Sequence, residues 1–152
     1  MSRIGRPLTT GEIDLARSIY RAAIDYAAVE VCHHKWAFFQ PRHVVMAPRG
    51  RIHFHPHGDL YREDFAAAPL GEQGLFIHEM CHVWQHQRGV VLPLARHPFC
   101  HYHYSFTPGW PLKRYGIEQQ AEIVRHTFLL RAGANVPGAP ALNRYESVLP
   151  FG

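Results

Sequence analysis

The chain has 152 residues, of which 47% are hydrophobic and 18% are charged. This composition suits one folded domain with a substantial core and excludes a disordered chain. The net charge of +4 is spread along the sequence, and no apolar run approaches the ~20 residues that cross a bilayer. We therefore expect neither a nucleic acid nor a membrane as a partner. The 13 histidines favour a metal site, because histidine is the commonest metal ligand.

The cysteines and the N-terminus indicate the compartment. Cys32, Cys81 and Cys100 are odd in number and form no Cys-x-x-Cys pair, so they predict no disulfide framework. No apolar stretch follows the basic segment 1–7, so this segment does not resemble a cleaved signal peptide. We expect a cytoplasmic protein, and any export would need a route, such as a contractile injection system, that reads no signal peptide.

Hydrophobic periodicity and turn residues divide the chain into an ordered set of elements. Thr9 and Glu12 have the spacing of a capping box, which starts the first helix at Thr9. The elements that follow are a strand over 29–33, a β-hairpin over 44–55, a short helix over 59–68, a long helix over 71–88, a loop over 93–111 and a last helix over 116–132.

The order of these elements predicts the fold class. A helix, a short β-meander, a helix, a loop and a helix make a small α+β domain. We expect one domain over 1–152 with its core at about 9–133. The terminal segments 1–8 and 137–152 are rich in proline and glycine, which is typical of peripheral arms.

The middle of the long helix carries the sequence His-Glu-Met-Cys-His. His78 and His82 are four residues apart, so both can turn a ring nitrogen toward one ion. Glu79 lies about 100° further round the helix, where its carboxylate can act as the general base for a water at that ion. Two ligands and one base on a single turn are the arrangement of H-E-x-x-H zinc hydrolases. The alternative is two ordinary helix histidines beside an exposed glutamate.

A hydrolytic zinc site needs a third protein ligand. The metzincin spacing would place it at position 88, which is Arg88, so that arrangement is excluded. The last helix offers Glu118 and Glu122, which are four residues apart on one face. One carboxylate can ligate the metal, and the other can accept the free ring N–H of a ligand histidine. The alternative is a solvated helix face with two ordinary glutamates.

The pairing of these two helices resembles the gluzincin clan, in which a helical E-x-x-x-D follows H-E-x-x-H. The resemblance implies that Glu118 is the third zinc ligand and that Glu122 orients a ligand histidine. Glu122 stands where the family usually has aspartate, so its longer side chain must fold back to do this.

A closer resemblance covers residues 8 to 87. Its motifs are Leu8-Thr9-x-Gly11-Glu12, Val29-x-Val31-x-His33, Gly50-x-Ile52-x-Phe54 and His78-Glu79-Met80-x-His82-Val83-Trp84-Gln85. They look like the metallopeptidase domain of toxin-like proteins from contractile injection systems, and the whole chain is similar to small bacterial proteins described as Vgr-related. The resemblance implies zinc as cofactor, a peptide or peptidoglycan-like substrate, and a partner in a type VI-like secretion apparatus.

The loop and the hairpin add further candidates. His103 and Tyr115 are of the types that stabilise an oxyanion in acyl-transfer sites; the alternative is a polar loop packed over the cleft. His53, His55 and His57 alternate, which predicts a polar strand face. The gluzincin resemblance implies that His55 or His57 borders a substrate cleft. A second metal site at these three histidines is the alternative.

The leading hypothesis is a zinc-dependent peptidase or amidase. In it, Glu79 takes a proton from the water that attacks a carbonyl and gives it to the leaving amine. The competing class is a non-catalytic, metal-stabilised structural or adaptor module of a secretion apparatus.

Overall fold

Three short strands and four α-helices make up the parts of the chain that the computed structural model describes, residues 4–92 and 102–152. The strands are β1 (Arg6–Pro7), β2 (Glu30–Cys32) and β3 (Arg51–His53), and the helices are α1 (Thr10–Tyr20), α2 (Leu70–Gln87), α3 (Ile117–Arg131) and α4 (Leu142–Glu146). Turns of 3₁₀ helix lie at Tyr26–Ala28, Phe65–Ala67 and Leu112–Arg114. The predicted α+β class is confirmed. Helices α2 and α3 start and end within one residue of the predicted boundaries, and α1 starts within one residue of the predicted Thr9.

The capping box predicted at the start of α1 is present. Thr9 Oγ1 accepts a hydrogen bond from the Glu12 backbone N–H at 3.0 Å, and Glu12 Oε1 accepts one from the Thr9 N–H at 3.0 Å. The buried Glu12 carboxylate also binds the Arg6 guanidinium at 2.8 and 2.9 Å and the Phe65 N–H at 2.9 Å. One carboxylate thus joins β1, the start of α1 and the turn that precedes α2.

The sheet is mixed, and the predicted hairpin and meander are wrong. Strand β1 runs antiparallel to β2, but β3 runs parallel to β2. The expected hairpin shrinks to one antiparallel bridge between Met46 and His53. Segment 33–50 is long enough to carry the chain back to the start of a parallel neighbour, and Gly50, with φ +81°, makes the turn into β3.

The core explains how α2 is held. The rings of Phe54, Phe65 and Phe76 stack with centroid separations of 5.3 and 5.6 Å. Residues 76–85 of α2 are buried on every side, as expected for a helix in the interior. Helix α3 packs against α2 and comes close at Gly74, where a Cβ atom would lie 3.3 Å from Arg125 Nε.

Two more predictions of secondary structure need correction. The helix expected over 59–68 is only the 3₁₀ turn Phe65–Ala67. The C-terminal segment is not a peripheral arm, because Tyr145 of α4 is 1% exposed and its hydroxyl lies 2.5 Å from that of Tyr104. The segment is rich in proline and glycine, yet it contains one short helix whose tyrosine is buried in the core. Part of the predicted loop over 93–111 falls outside the described residues.

Membrane-spanning helices were also considered. None of the helices in residues 4–92 and 102–152 has both the length and the apolar character that crossing a membrane requires.

Candidate metal centre

Helices α2 and α3 bring together two histidines and a glutamate that are distant in sequence. His78 Nε2 lies 3.2 Å and His82 Nε2 lies 3.0 Å from the same atom, Glu118 Oε1. All three side chains are buried. A tetrahedral zinc ion with bonds of about 2.0–2.1 Å would hold its ligand atoms about 3.3 Å apart. The distances from Glu118 Oε1 to both nitrogens are therefore close to the spacing that such an ion needs.

The other nitrogen of each histidine ring is also held. His78 Nδ1 lies 3.2 Å from Glu122 Oε2, so the longer carboxylate does reach the ring, and Arg125 contacts that oxygen at 3.3 Å. His82 Nδ1 lies 2.9 Å from Gln85 Oε1. Each ring thus has one partner at Nδ1, which leaves Nε2 directed at Glu118. Such contacts fix the tautomer and orientation of metal-binding histidines.

The hydrogen bonds of Gln85 determine which atom of its amide faces His82. Gln85 Nε2 donates to the Ile117 carbonyl at 3.0 Å and to Gln120 Oε1 at 3.0 Å, so Oε1 must be the atom beside His82. His82 Nδ1 is then a donor, so Nε2 is the nitrogen whose lone pair is available to a metal once its proton is displaced. Sequence reasoning missed this role for Gln85.

The charges of the cluster are tightly coupled. Burial disfavours the charged His78 ring, but the contacts with Glu118 and Glu122 outweigh it and raise the pKa of His78 to about 10. Burial also acts to lower the pKa of His82, but the contact with Glu118 outweighs it, so the pKa of His82 is raised as well. Burial also disfavours the Glu118 carboxylate, but its hydrogen bonds with the two rings hold its pKa well below the usual range. The carboxylate is therefore ionised and favours a cation beside it.

Glu79 lies beside the two histidines. One of its carboxylate oxygens and one ring nitrogen each from His78 and His82 lie within 4.8 Å of one another. Glu118 Oε1 lies within hydrogen-bond distance of both rings, so the geometry favours Glu118 over Glu79 as the third ligand. Nitrogen and oxygen donors in this number and spacing fit zinc.

Tyr115 and His103, the two candidates for stabilising an oxyanion, make their hydrogen bonds outside the histidine pair. The Tyr115 hydroxyl accepts a hydrogen bond from the Thr107 N–H at 2.9 Å and donates to its carbonyl at 3.4 Å, so it anchors the loop. The His103 carbonyl accepts a hydrogen bond from Gln119, and its side chain is exposed. Within the described residues, neither side chain makes a hydrogen bond or ring contact with His78 or His82. Tyr102 is the loop residue that stacks on the His78 ring, at 5.8 Å between centroids and 22° between planes.

An apolar cavity of about 240 Å³ opens beside His82 and Glu118. Its wall comes largely from segment 33–50 and from the ends of α2 and α3. The apolar residues that line it are Trp36, Phe39, Met46, Pro48, Leu92 and Ile117. A pocket with this lining, next to a few convergent polar groups, is typical of a binding site.

Comparison with known proteins gives one sequence relative and one structural relative. No family model matches the chain. The type VI secretion system spike protein VgrG2b of Pseudomonas aeruginosa is 43% identical over 135 residues, which are 82% of this chain but only 13% of that protein. The solved effector domain of Pseudomonas aeruginosa VgrG2b aligns with a TM-score of 0.79 and 36% identity, over 95% of this chain and 83% of that one.

Proposed function

Because the chain belongs to the family of the VgrG2b effector domain, we propose that it is an effector module of type VI secretion that hydrolyses peptide or amide bonds with the help of zinc. The relative spans far more than this domain, so association with the secretion apparatus, and export without a signal peptide, are part of the proposal. The gluzincin-like assignment is part of it too.

The observation that carries the proposal is the convergence of both Nε2 atoms on Glu118 Oε1, at 3.0 and 3.2 Å. His78, His82 and Glu118 would hold the ion, and Glu122 and Gln85 would orient the two rings. Three protein ligands leave one position open, which is the arrangement of catalytic rather than structural zinc.

The chemistry divides between the ion and the chain. Zinc bound there would polarise a carbonyl and activate water for attack. The Glu79 carboxylate takes the proton from the attacking water and returns it to the leaving amine. The apolar cavity beside His82 suits an apolar side chain of a peptide substrate, while burial of the cluster excludes bulk water and strengthens each electrostatic contact.

The test is Glu79→Gln, which keeps the shape of the side chain and removes the base. We expect normal zinc content and an unchanged melting temperature, with turnover on peptide or peptidoglycan fragments lowered by roughly 10²–10⁴-fold. Glu72→Gln is the matched control, because Glu72 lies on the same helix and forms an ion pair with Arg62. It should leave turnover unchanged.

A non-catalytic adaptor module is the second candidate, and the resemblance to a spike protein favours it. In that case the zinc-loaded wild type cleaves nothing in a broad peptide and peptidoglycan screen. Glu79→Gln then performs the biological role of the protein as well as the parent does. These two results together would refute the proposal that the protein is a hydrolase.

A further inference from the structure

A second cluster of metal-binding side chains lies at the sheet, on elements that contribute no residue to the first site. Cys32 ends β2, His53 ends β3, and His34 follows Cys32 by two residues. One potential ligand atom from each of the three lies within 4.8 Å of the others. The sequence offered a second metal site at His53, His55 and His57 only as an alternative to a polar strand face, but β3 ends at His53 and only His53 of the three belongs to this cluster.

The strand register explains why the cluster forms. Cys32 and His53 are Cα partners in the parallel pair of β2 and β3, and partners on neighbouring strands point to the same face of a sheet. The backbone of His53 is fixed by hydrogen bonds to Met46 in both directions, at 2.7 and 3.1 Å. Gly5 closes over the thiol, since a Cβ atom there would lie 2.7 Å from Cys32 Sγ. Two of the three side chains are thus held in place by the fold.

His53 supplies an independent sign of a ligand. His53 is only 5% exposed, and its Nδ1 atom has no hydrogen-bond partner within residues 4–92 and 102–152. A buried ring nitrogen without a partner is unfavourable, and such groups are rare in folded proteins. Metal ligation satisfies it, and the exposed His34 offers the ion a way in from solvent.

We propose that Cys32, His34 and His53 bind a zinc ion distinct from the one proposed between α2 and α3. A thiolate and two imidazoles are a donor set that suits zinc, and water can take the fourth position. Bonds of about 2.1 Å to nitrogen and 2.3 Å to sulfur would bring the ligand atoms to about 3.5 Å from one another. Since the atoms lie no more than 4.8 Å apart, the movement needed is at most about 1 Å, within the reach of side-chain rotation. The thiol proton passes to solvent on binding.

The consequence is structural. His34 lies at the start of segment 33–50, which supplies Trp36, Phe39, Met46 and Pro48 to the wall of the apolar cavity. The ion would tie the start of this segment to the end of β3 and so stabilise the wall. This role does not require the protein to be a hydrolase.

Cobalt(II) is the probe that separates the two sites. A cobalt–thiolate bond gives a charge-transfer absorption in the near ultraviolet, whereas a site of nitrogen and oxygen ligands gives none. Zinc-free wild-type protein should show this band on titration with Co²⁺, and Cys32→Ser should abolish it. Cys81→Ser and Cys100→Ser should keep the band, and so should His82→Ala, which removes a ligand of the other site only.

Because Cys32 is fully buried, a second pair of variants guards against a folding defect. His34→Ala should weaken zinc binding at this site by more than ~100-fold, since loss of a ligand costs more than loss of an orienting contact. His33→Ala, at the exposed neighbouring position, should bind as the parent does. The proposal is overturned by a missing band in the wild type, by a band that depends on Cys81 or Cys100, or by equal affinity in the two histidine variants. Loss of hydrolysis alone would contradict only the proposed function.

Discussion

Gln85 offers a quantitative test of how the first metal centre is organised. Its amide is 2% exposed and makes three hydrogen bonds, from His82 and to Ile117 and Gln120, at 2.9–3.0 Å. The variant Gln85→Leu has nearly the same shape but removes all three. Gln85→Glu keeps an acceptor for His82 and removes both donated bonds. The pair therefore separates the orientation of the ring from the packing of α2 on α3.

The expected magnitudes follow from these contacts. Three buried hydrogen bonds contribute about 1 kcal/mol each, so Gln85→Leu should lower the free energy of unfolding by about 3 kcal/mol. It should also weaken zinc binding by about 10–100-fold, because His82 loses the contact that fixes its tautomer. Gln85→Glu should lose stability through its two missing donors but should not weaken zinc binding, since a carboxylate accepts from a ring N–H at least as strongly as an amide.

Two measurements check this: urea unfolding of the zinc-free proteins, and zinc competition against a chromophoric chelator. Gln87→Leu is the control, because Gln87 lies on the same helix and makes two hydrogen bonds with the Asp25 backbone, but is exposed. Gln87→Leu should leave the zinc affinity unchanged. Wild-type affinity in Gln85→Leu, or equal losses of affinity in the leucine and glutamate variants, would refute the role assigned to the amide.

Two other variants test the site and the fold. Glu118→Ala should lower the zinc content of the protein by one equivalent, the one held between α2 and α3, whereas Glu122→Ala should weaken binding there only about 10–100-fold. If elemental analysis finds the larger loss in Glu122→Ala, the roles assigned to the two glutamates are reversed. Glu12→Ala should lower the free energy of unfolding in urea by about 3–5 kcal/mol, because it strands the Arg6 guanidinium and the Phe65 N–H that the carboxylate holds. A loss below about 1 kcal/mol would mean that water replaces the carboxylate.

The helices could be predicted from the sequence because their signals are local. The Thr9–Glu12 capping box, the periodic apolar residues and the glycines at the helix ends act within one or two turns. The closeness of Glu118 to the histidine helix could be inferred as well, because a zinc site built on two histidines needs a third protein ligand. The order and direction of the strands could not be predicted from the sequence, because the pairing of β2 with β3 depends on how segment 33–50 crosses over.

Local sequence signals were too weak to predict which side chains contact the metal-binding residues. Gln85 lies three residues after His82 on the same face of α2, so its amide could have been suspected as the partner of the ring. The sequence predicted a shared role for the loop aromatics but not which ring would reach His78. A loop without periodicity gives no register, and so Tyr102 contacts the site while Tyr115 anchors the loop.

The carboxylates at the histidine pair bear on the choice between the proposed catalytic centre and a passive metal clamp. Within the described residues, Glu79, Glu118 and Glu122 gather at one pair of histidines, with Arg125 as the cation on Glu122. A divalent cation would offset negative charge gathered here, and buried charges are tolerated only when they are compensated. A clamp needs the two histidines and Glu118 alone. Burying Glu79 beside them adds a negative charge that coordination does not require, but a general base next to an activated water does require it. Its neutral replacement in Glu79→Gln should therefore not destabilise the fold.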